Sequence, residues 1–203
     1  MKIAILGAGN IGIALGRKWS QAGHRVIFGV RDLGSAKTLA SLKSTGVNLA
    51  DTIANAIAAS ETVVWAVPGD AVEPLVTANA VALNSRIMID ATNRVRLADM
   101  SAVGVFTTRV PDARIFRGFN TLGWENFSDP VIGDIQADLF YCGQDDPPAR
   151  RLVEGLITAV GFRPIYVGGL DQTPVLDGMT RLWFSLALGQ KMGRHLAFKL
   201  LVS

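Results

Sequence analysis

The glycines Gly7, Gly9 and Gly12 follow the apolar run Ile3-Ala4-Ile5-Leu6 and open a segment in which Ile11, Ala14, Leu15 and Trp19 recur at helical spacing as far as Gly23. A run that is apolar on both faces is what a strand buried between two helical layers requires. The chain therefore opens as strand, glycine turn and helix, with Gly23 as the helix stop. In a G-x-G-x-x-G turn of this kind, Gly7 permits the tight turn, Gly9 lets backbone reach a pyrophosphate, and Gly12 lets the helix lie close to the strand. The diphosphate would sit on unpaired N–H groups at the positive helix end. A chance turn is the alternative in a chain with 21 glycines, and the strand-turn-helix order speaks against it. Gly7, Ala8, Gly9, Asn10, Ile11 and Gly12 are thus expected to bind a dinucleotide.

Strand-like and helix-like segments then alternate, the pattern of a doubly wound, mostly parallel α/β sheet of Rossmann type. Strands are expected over Arg25–Gly29, near Val47, over Val63–Val67 and Ile87–Ile89, and from Ile115 to Phe119. Helices are expected over Ser35–Lys43, after Asp51 as N-cap with Ile53 and Ile57 inward, after Asp70 and Glu73 as a capping box, and over Ser101–Val110. Past Asn120 the periodicity is lost, which puts a boundary there: residues 1–122 as the nucleotide-binding domain, and 123–203 as a small C-terminal part facing the substrate and a second subunit. That part is expected to be an α/β extension: a strand over Leu139–Cys142, a helix from Asp146-Pro147 to Val160 closed by Gly161, a strand near Ile165–Val167, and a long helical tail from Asp171 to the C-terminus.

Composition narrows the classes. No apolar segment approaches membrane-spanning length and the start lacks a signal-peptide core, so a cytoplasmic protein is expected, with no membrane partner. One cysteine and two histidines give a metal site little to build on, and Cys142 in an apolar run reads as a buried inert thiol. A net charge of +3 without any dense Lys/Arg block suits a phosphate-bearing small ligand or a plain soluble surface, and no nucleic acid is expected.

The end of the second strand identifies the nucleotide. A carboxylate there binds both ribose hydroxyls, and a cation accepts a 2′-phosphate. The strand ends Gly29-Val30-Arg31-Asp32, so Val30 borders the ribose and Arg31 reaches it, which selects NADP; Asp32 placed on the ribose would select NAD instead. Ser35 and Lys37 either add donors for the phosphate or act as a helix N-cap and a solvated first-turn lysine.

Several stretches together resemble the NADP-dependent oxidoreductases of the deazaflavin coenzyme F420 and their bacterial relatives of unassigned substrate. They are Gly7-Ala8-Gly9-Asn10-Ile11-Gly12, Gly29-Val30-Arg31, Ala66-Val67-Pro68, Asp90-Ala91-Thr92-Asn93, Gly118-Phe119-Asn120-Thr121, and the tail with Met192-Gly193 and Ala197-Phe198-Lys199-Leu200. The resemblance implies a Rossmann domain with a small C-terminal part, a homodimer, and hydride transfer between NADPH and F420 or a flavin-like acceptor. The chain departs from the family where Val30 replaces a serine and Ala8 a threonine, which leaves the 2′-phosphate more to Arg31. Its Phe119-Asn120-Thr121 form is nearer the bacterial relatives.

No catalytic acid stands out. His24 lies in a short turn, His195 is expected in the terminal helix, and Tyr141 and Tyr166 fall in strands as core residues with tethered hydroxyls. Reduction of a carbonyl needs a positioned proton donor, whereas a deazaflavin accepts hydride at carbon and spreads the charge through its ring, so apolar walls and backbone suffice. Ala66, Val67 and Pro68 should lie beside the nicotinamide. Asn93 should bond the nicotinamide ribose or amide, or else stabilise its turn, and Asn120 and Met192 are placed at the substrate. The tail carries Trp183, Phe184, Leu186, Leu188, Met192 and Leu196, too many apolar residues for one core-facing stripe, so some should meet a partner subunit or close the pocket. Two other functions are compatible with these residues: an NADPH-dependent reductase of a small carbonyl or imine, and a non-catalytic NADP-binding regulator.

Overall fold

The computed structural model describes residues 1–43, 45–47, 49–95 and 97–202, apart from the Lys37 side chain. Its first strand, β1 (Lys2–Leu6), carries Ile3 and Ile5 into one apolar core and Ala4 and Leu6 into a second on the opposite face. The same alternation of period two runs through β2 (Arg25–Val30), β4 (Thr62–Trp65), β5 (Ile87–Asp90) and β6 (Arg114–Arg117). Strands apolar on both faces need a helical layer on each side, and that is the arrangement found. One core is closed by α1 (Asn10–Gln21) and α7 (Pro147–Val160), the other by α3 (Ile53–Ala58), α4 (Val72–Leu83) and α5 (Val103–Arg109). The Trp19 Nε1–H donates to the Leu156 carbonyl at 2.9 Å, tying α1 to α7.

The sheet order is β10-β9-β6-β5-β4-β1-β2-β3, with β3 at Ala50–Thr52, β9 at Asp138–Gly143 and β10 at Arg163–Tyr166. Strands β1 to β6 are parallel to their neighbours in the Rossmann order. The C-terminal α/β extension adds β9 antiparallel to β6 and β10 parallel to β9, so it lengthens the same sheet. The chain reverses direction across the sheet between β1 and β4, and a crevice opens outside their carboxyl ends. The remaining elements are α2 (Ala36–Lys43), the single turn α6 (Glu125–Ser128), the hairpin β7 (Val131–Ile132) with β8 (Ile135–Gln136), and α8 (Thr173–Phe184).

Several boundaries differ from those expected. The strand placed near Val47 lies at Ala50–Thr52, because the Thr45 hydroxyl bonds the Leu42 carbonyl and the Val47 N–H and turns that segment. Thr52, rather than Asp51, caps α3 by accepting from the Asn55 N–H at 3.2 Å. Asp70 and Glu73 form no capping box; a 3₁₀ turn at Gly69–Ala71 precedes α4, and Glu73 pairs with Arg109 at 3.1 Å. Asp146, Pro147 and the left-handed Gly161 frame α7 as expected. The helical C-terminal part ends at Gly189, after a π-turn over Ser185–Gly189, because Lys191 and Gly193 take positive φ and break the ladder. His195 therefore lies beyond the helix, exposed, with Nε2 2.9 Å from the Asp129 carbonyl.

The segment after Gly189 is pinned by Asp138, which is fully buried at the start of β9. Its carboxylate accepts from Arg163 at 2.7 and 2.8 Å, from Lys199 Nζ at 3.0 Å and from the Leu200 N–H at 2.7 Å. Burial alone would raise the pKa of this carboxyl, but the bonds from Arg163, Leu200 and Lys199 outweigh it and hold the value below the ordinary 3.8. A depressed folded-state pKa gives stability that is present above the ordinary value and lost as pH falls through the folded one. Asp138→Asn should therefore lower the melting temperature at neutral pH, with the gap to wild type closing below pH 3.8. Thermal melts across that range check it.

Candidate functional site

The carboxyl end of β1 passes into the glycine turn, which is closed by backbone contacts that leave no room for side chains. Gly7 has φ +104°, its N–H donates to the Gly29 carbonyl at 3.1 Å, and a Cβ there would stand 2.6 Å from the Ala66 carbonyl oxygen. A Cβ on Gly12 would stand 2.2 Å from the Gly7 carbonyl oxygen, so glycine is what lets α1 start against β1. Gly9 differs: a Cβ there meets nothing within 4 Å. The first intrahelical bond runs from the Ile13 N–H to the Gly9 carbonyl at 2.9 Å, which leaves the Asn10, Ile11 and Gly12 N–H groups without helical partners, and no side chain caps this end. Open space in front of unpaired N–H groups at a positive helix end suits a diphosphate.

On one side of this turn a cleft of about 340 Å³ runs over Gly7, Ala8, Val30, Arg31 and Ser35 to Val67, with Thr38 and Ser41 of α2 along its wall. Asp32 lines the same cleft beside Arg31, and its Oδ1 accepts from the Gly34 N–H at 2.8 Å. Ser35 Oγ lies 3.4 Å from the Thr38 N–H as a helix cap, while still lining the cleft. The Lys37 side chain, expected to add a donor, lies outside the described residues.

On the other side a cleft of about 350 Å³ joins the first at Val67 and is lined by Gly9, Asn10, Ile11, Ala66, Pro68 and Asn93 together with Ala91, Thr92 and Trp124. No titratable side chain is among its walls. A third cleft, about 690 Å³, shares Pro68 and Asn93 with it and continues past Gly69, Asp70, Glu73 and Arg94 to Val95, Leu97 and Val105. Twelve of the thirteen residues expected at the nucleotide thus line the first two clefts, and Gly12 lies packed behind them.

The two residues placed at the substrate are not on these walls. Asn120 is buried, with Nδ2 donating to Thr180 Oγ1 at 2.9 Å. Met192 is exposed beyond the end of the C-terminal helix. Asn120 acts on the site through its backbone, because its carbonyl accepts from Asn93 Nδ2 at 3.2 Å. The preceding Phe119 holds φ +61° although fully buried, a conformation that costs a non-glycine residue about 1–3 kcal/mol. Edge-to-face contacts with Trp19 and Phe127, each 5.7 Å between centroids, hold it there.

Sequence reasoning missed the group that organises this end of the sheet. Arg117, at the end of β6, is fully buried, as is Asp90 at the end of β5. Its guanidinium donates to Asp90 Oδ2 at 3.1 Å, to Asp177 Oδ1 of α8 at 2.8 Å, to the Thr92 carbonyl, and to Asn93 Oδ1 at 3.0 Å. Asp90 also accepts from Thr92 Oγ1 at 2.6 Å and the Ala102 N–H at 2.8 Å. Asp177 accepts from the N–H groups of Met100 and Ser101, each at 3.2 Å. The available signal was a charge at the end of each of two otherwise apolar strands, since such groups are almost never fully buried unless paired. Trp124 was missed too, for want of any period around it.

The other residues weighed for chemistry serve structure. Cys142 is buried against the Thr173 hydroxyl at 3.6 Å, and burial raises its thiol pKa. Tyr141 is buried with its hydroxyl on Glu154, and burial first, then that carboxylate, raises its pKa far out of working range. Tyr166 bonds the Gly143 carbonyl at 3.2 Å. His24 has a lowered pKa, mainly from burial.

Residues 2–94 match the family described as NADP oxidoreductase coenzyme F420-dependent. The fold is similar to that of a candidate F420-dependent NADP-reductase from Arthrobacter sp. FB24, with TM-score 0.88 and 24% identity over 100% of both chains. A hypothetical protein from Sinorhizobium meliloti matches with TM-score 0.73 and 28% identity over 86% of this chain and 88% of that one. A reductive aminase from Aspergillus terreus, in complex with NADPH and ethyl-5-oxohexanoate, matches with TM-score 0.66 and 25% identity; 94% of this chain covers 61% of that one. No described helix is long and apolar enough to cross a membrane. Residues 2–94 are thus similar to the family described as coenzyme F420-dependent NADP oxidoreductases, the resemblance expected from the motifs in that stretch, and the chain has a Rossmann-type fold.

Proposed function

We propose that the protein is a cytoplasmic, homodimeric oxidoreductase that passes hydride between NADPH and a deazaflavin (coenzyme F420) or flavin-like acceptor. Residues 1–122 hold the nucleotide, and 123–203 bring Trp124 to its ring end and form the subunit contact. The observation that carries this reading is the pair of joined clefts along the carboxyl ends of β1, β2, β4 and β5, which meet beside an uncapped helix end, the second of them with walls that carry no titratable group. When bound, the dihydronicotinamide supplies the hydride. The chain's part is to anchor the diphosphate on the Asn10, Ile11 and Gly12 N–H groups and to hold the ring against Ala66, Val67 and Pro68 under Trp124. A conjugated acceptor needs that positioning and no acid.

Arg31 on the wall of the adenosine cleft supports NADP over NAD, and Asp32 on the same wall has one carboxylate oxygen engaged by the Gly34 N–H. A reductase of a small carbonyl or imine is the second reading, favoured by the likeness to the reductive aminase. It would take its proton donor from Asp70 or Glu73 in the adjoining cleft. Purified protein with NADPH separates the two: bleaching of F420 or flavin absorbance is expected, and turnover with carbonyl or imine compounds alone would overturn the leading reading. NADPH binding without oxidation by any acceptor would leave a regulator.

Three expectations follow from these assignments. Arg31→Ala should weaken NADPH about ten- to a hundredfold and leave NADH nearly unchanged, since a charge-assisted contact to phosphate contributes about 1.5–3 kcal/mol; equal loss for both would sink the 2′-phosphate assignment. Gly9→Ala should leave the melting temperature unchanged, because its Cβ meets only open space, yet reduce NADPH affinity at least about tenfold by filling the diphosphate seat. Calorimetry on the folded variant checks it. The exposed Leu182, Leu188 and Met192 support a subunit interface on the C-terminal helical part. Sedimentation should show a dimer that Leu188→Glu weakens, and a monomeric wild type would refute it.

A further inference from the structure

We infer that the large cleft beyond Pro68 and Asn93 is the seat of the hydride acceptor, and that it selects ligands presenting hydrogen-bond acceptor oxygens or negative charge through two donors, Asn93 and Arg94. This rests on the nucleotide lying in the two clefts before it. Position supports it first, because Pro68 and Asn93 belong to both this cleft and the ring end of the nucleotide cleft. Size supports it next: about 690 Å³ accommodates a fused-ring ligand, with Pro68, Val95, Leu97 and Val105 as apolar walls.

The donors are fixed by chemistry. A guanidinium can only donate, so Arg117 on Asn93 Oδ1 at 3.0 Å forces the amide oxygen inward. Nδ2 spends one hydrogen on the Asn120 carbonyl at 3.2 Å and keeps the other. Asn93 therefore offers the cleft an N–H, with its oxygen turned toward Arg117. Arg94 follows it on a loop secured by its own N–H to the Met100 carbonyl at 2.8 Å and its carbonyl to the Leu97 N–H at 2.9 Å. Its side chain lies flat across Gly69, where a Cβ would stand 2.2 Å from Arg94 Cγ. Its enclosed Nε has no hydrogen-bond partner among the described residues. Of the two carboxylates in the cleft, Glu73 pairs with Arg109 and Asp70 stands exposed in a 3₁₀ turn, where solvent screens it. A planar dioxo ring or an anionic tail meets these donors with its oxygens, whereas a protonated imine meets a guanidinium of like charge.

The test uses protein saturated with NADP⁺, so that no turnover occurs, titrated with coenzyme F420, FMN and riboflavin by fluorescence and with 2-methyl-1-pyrroline by calorimetry. Arg94→Met, which keeps the stem over Gly69, should weaken the ring ligands about ten- to a hundredfold while NADP⁺ affinity stays within about twofold. Gly69→Ala, which displaces Arg94 without removing it, should reproduce that loss. Equal loss for FMN and riboflavin places the arginine on the ring oxygens, and loss for FMN and F420 alone places it on the phosphate; either supports the inference. Unchanged ring-ligand affinity in Arg94→Met overturns it, as does wild type that binds the imine but no ring ligand, or neither. Failure of NADP⁺ to bind wild type is a different result, since it overturns the nucleotide assignment itself.

Discussion

One buried guanidinium holds the functional end of this sheet together. Arg117 lies between Asp90 and Asp177 with two carboxylates to its single positive charge, in a place without solvent. Such an arrangement persists only if nearly every lone pair and proton finds a partner, because the desolvation of three ions otherwise exceeds their attraction. The partners are the turns after β5: the Thr92 hydroxyl and carbonyl, the Ala102 N–H, and the Met100 and Ser101 N–H groups. Removing the arginine would leave two uncompensated buried carboxylates, a loss of about 3–5 kcal/mol by analogy with other broken buried pairs. Substituting an apolar trio of similar volume can be neutral, so the ions are better understood as fixing which way these loops turn than as net glue. The loop conformation that results is the one that points Asn93 at the clefts.

The same triad joins the C-terminal part to the nucleotide-binding part. Asp177 belongs to α8, Asp90 and Arg117 to the sheet, and Thr180, one turn further along α8, bonds both the side chain and the carbonyl of Asn120. A shift of α8 would therefore be felt at Asn93 through two routes, the guanidinium on Oδ1 and the Asn120 carbonyl on Nδ2. Asn120 does not touch the clefts. Its place in the sequence motif is explained by backbone geometry, with the left-handed Phe119 turning its carbonyl toward Asn93.

Much of this was legible in the residues. Period-two alternation across both faces gave the parallel strands, and three glycines at the end of the first gave the turn, because each of those signals is local and has a steric cause. The capping of α7 by Asp146 and Gly161 was readable for the same reason. What escaped depends on contacts distant in sequence. Arg117 meets Asp177 across 60 residues, and Trp124 reaches the ring end from a single-turn helix with no period of its own. The strand expected near Val47 moved because a threonine hydroxyl claimed the backbone there. The helix expected to run to the C-terminus stopped at Gly189, where Lys191 and Gly193 take positive φ, and the segment beyond it is held by Asp138, buried a long way upstream, which accepts from Lys199 and Leu200.

The distribution of charge around the clefts divides their labour. At the glycine turn, helix N–H groups face open space; at the ribose end, the arginine of Gly29-Val30-Arg31 shares its wall with Asp32, one of whose oxygens is engaged by the Gly34 N–H. The middle, where a nicotinamide would lie, is neutral and partly apolar, which leaves the hydride path without a competing proton source. Beyond it the donors resume, with Asn93 held oxygen-inward and Arg94 lying across Gly69. A site with hydrogen-bond donors at both ends and neutral walls between suits two electron-rich ligands meeting face to face at the centre, each held by the donors at the end it occupies. Preorganised dipoles of this kind act without rearranging at the moment of transfer, and here the buried triad is what keeps the outer donor from turning its oxygen outward.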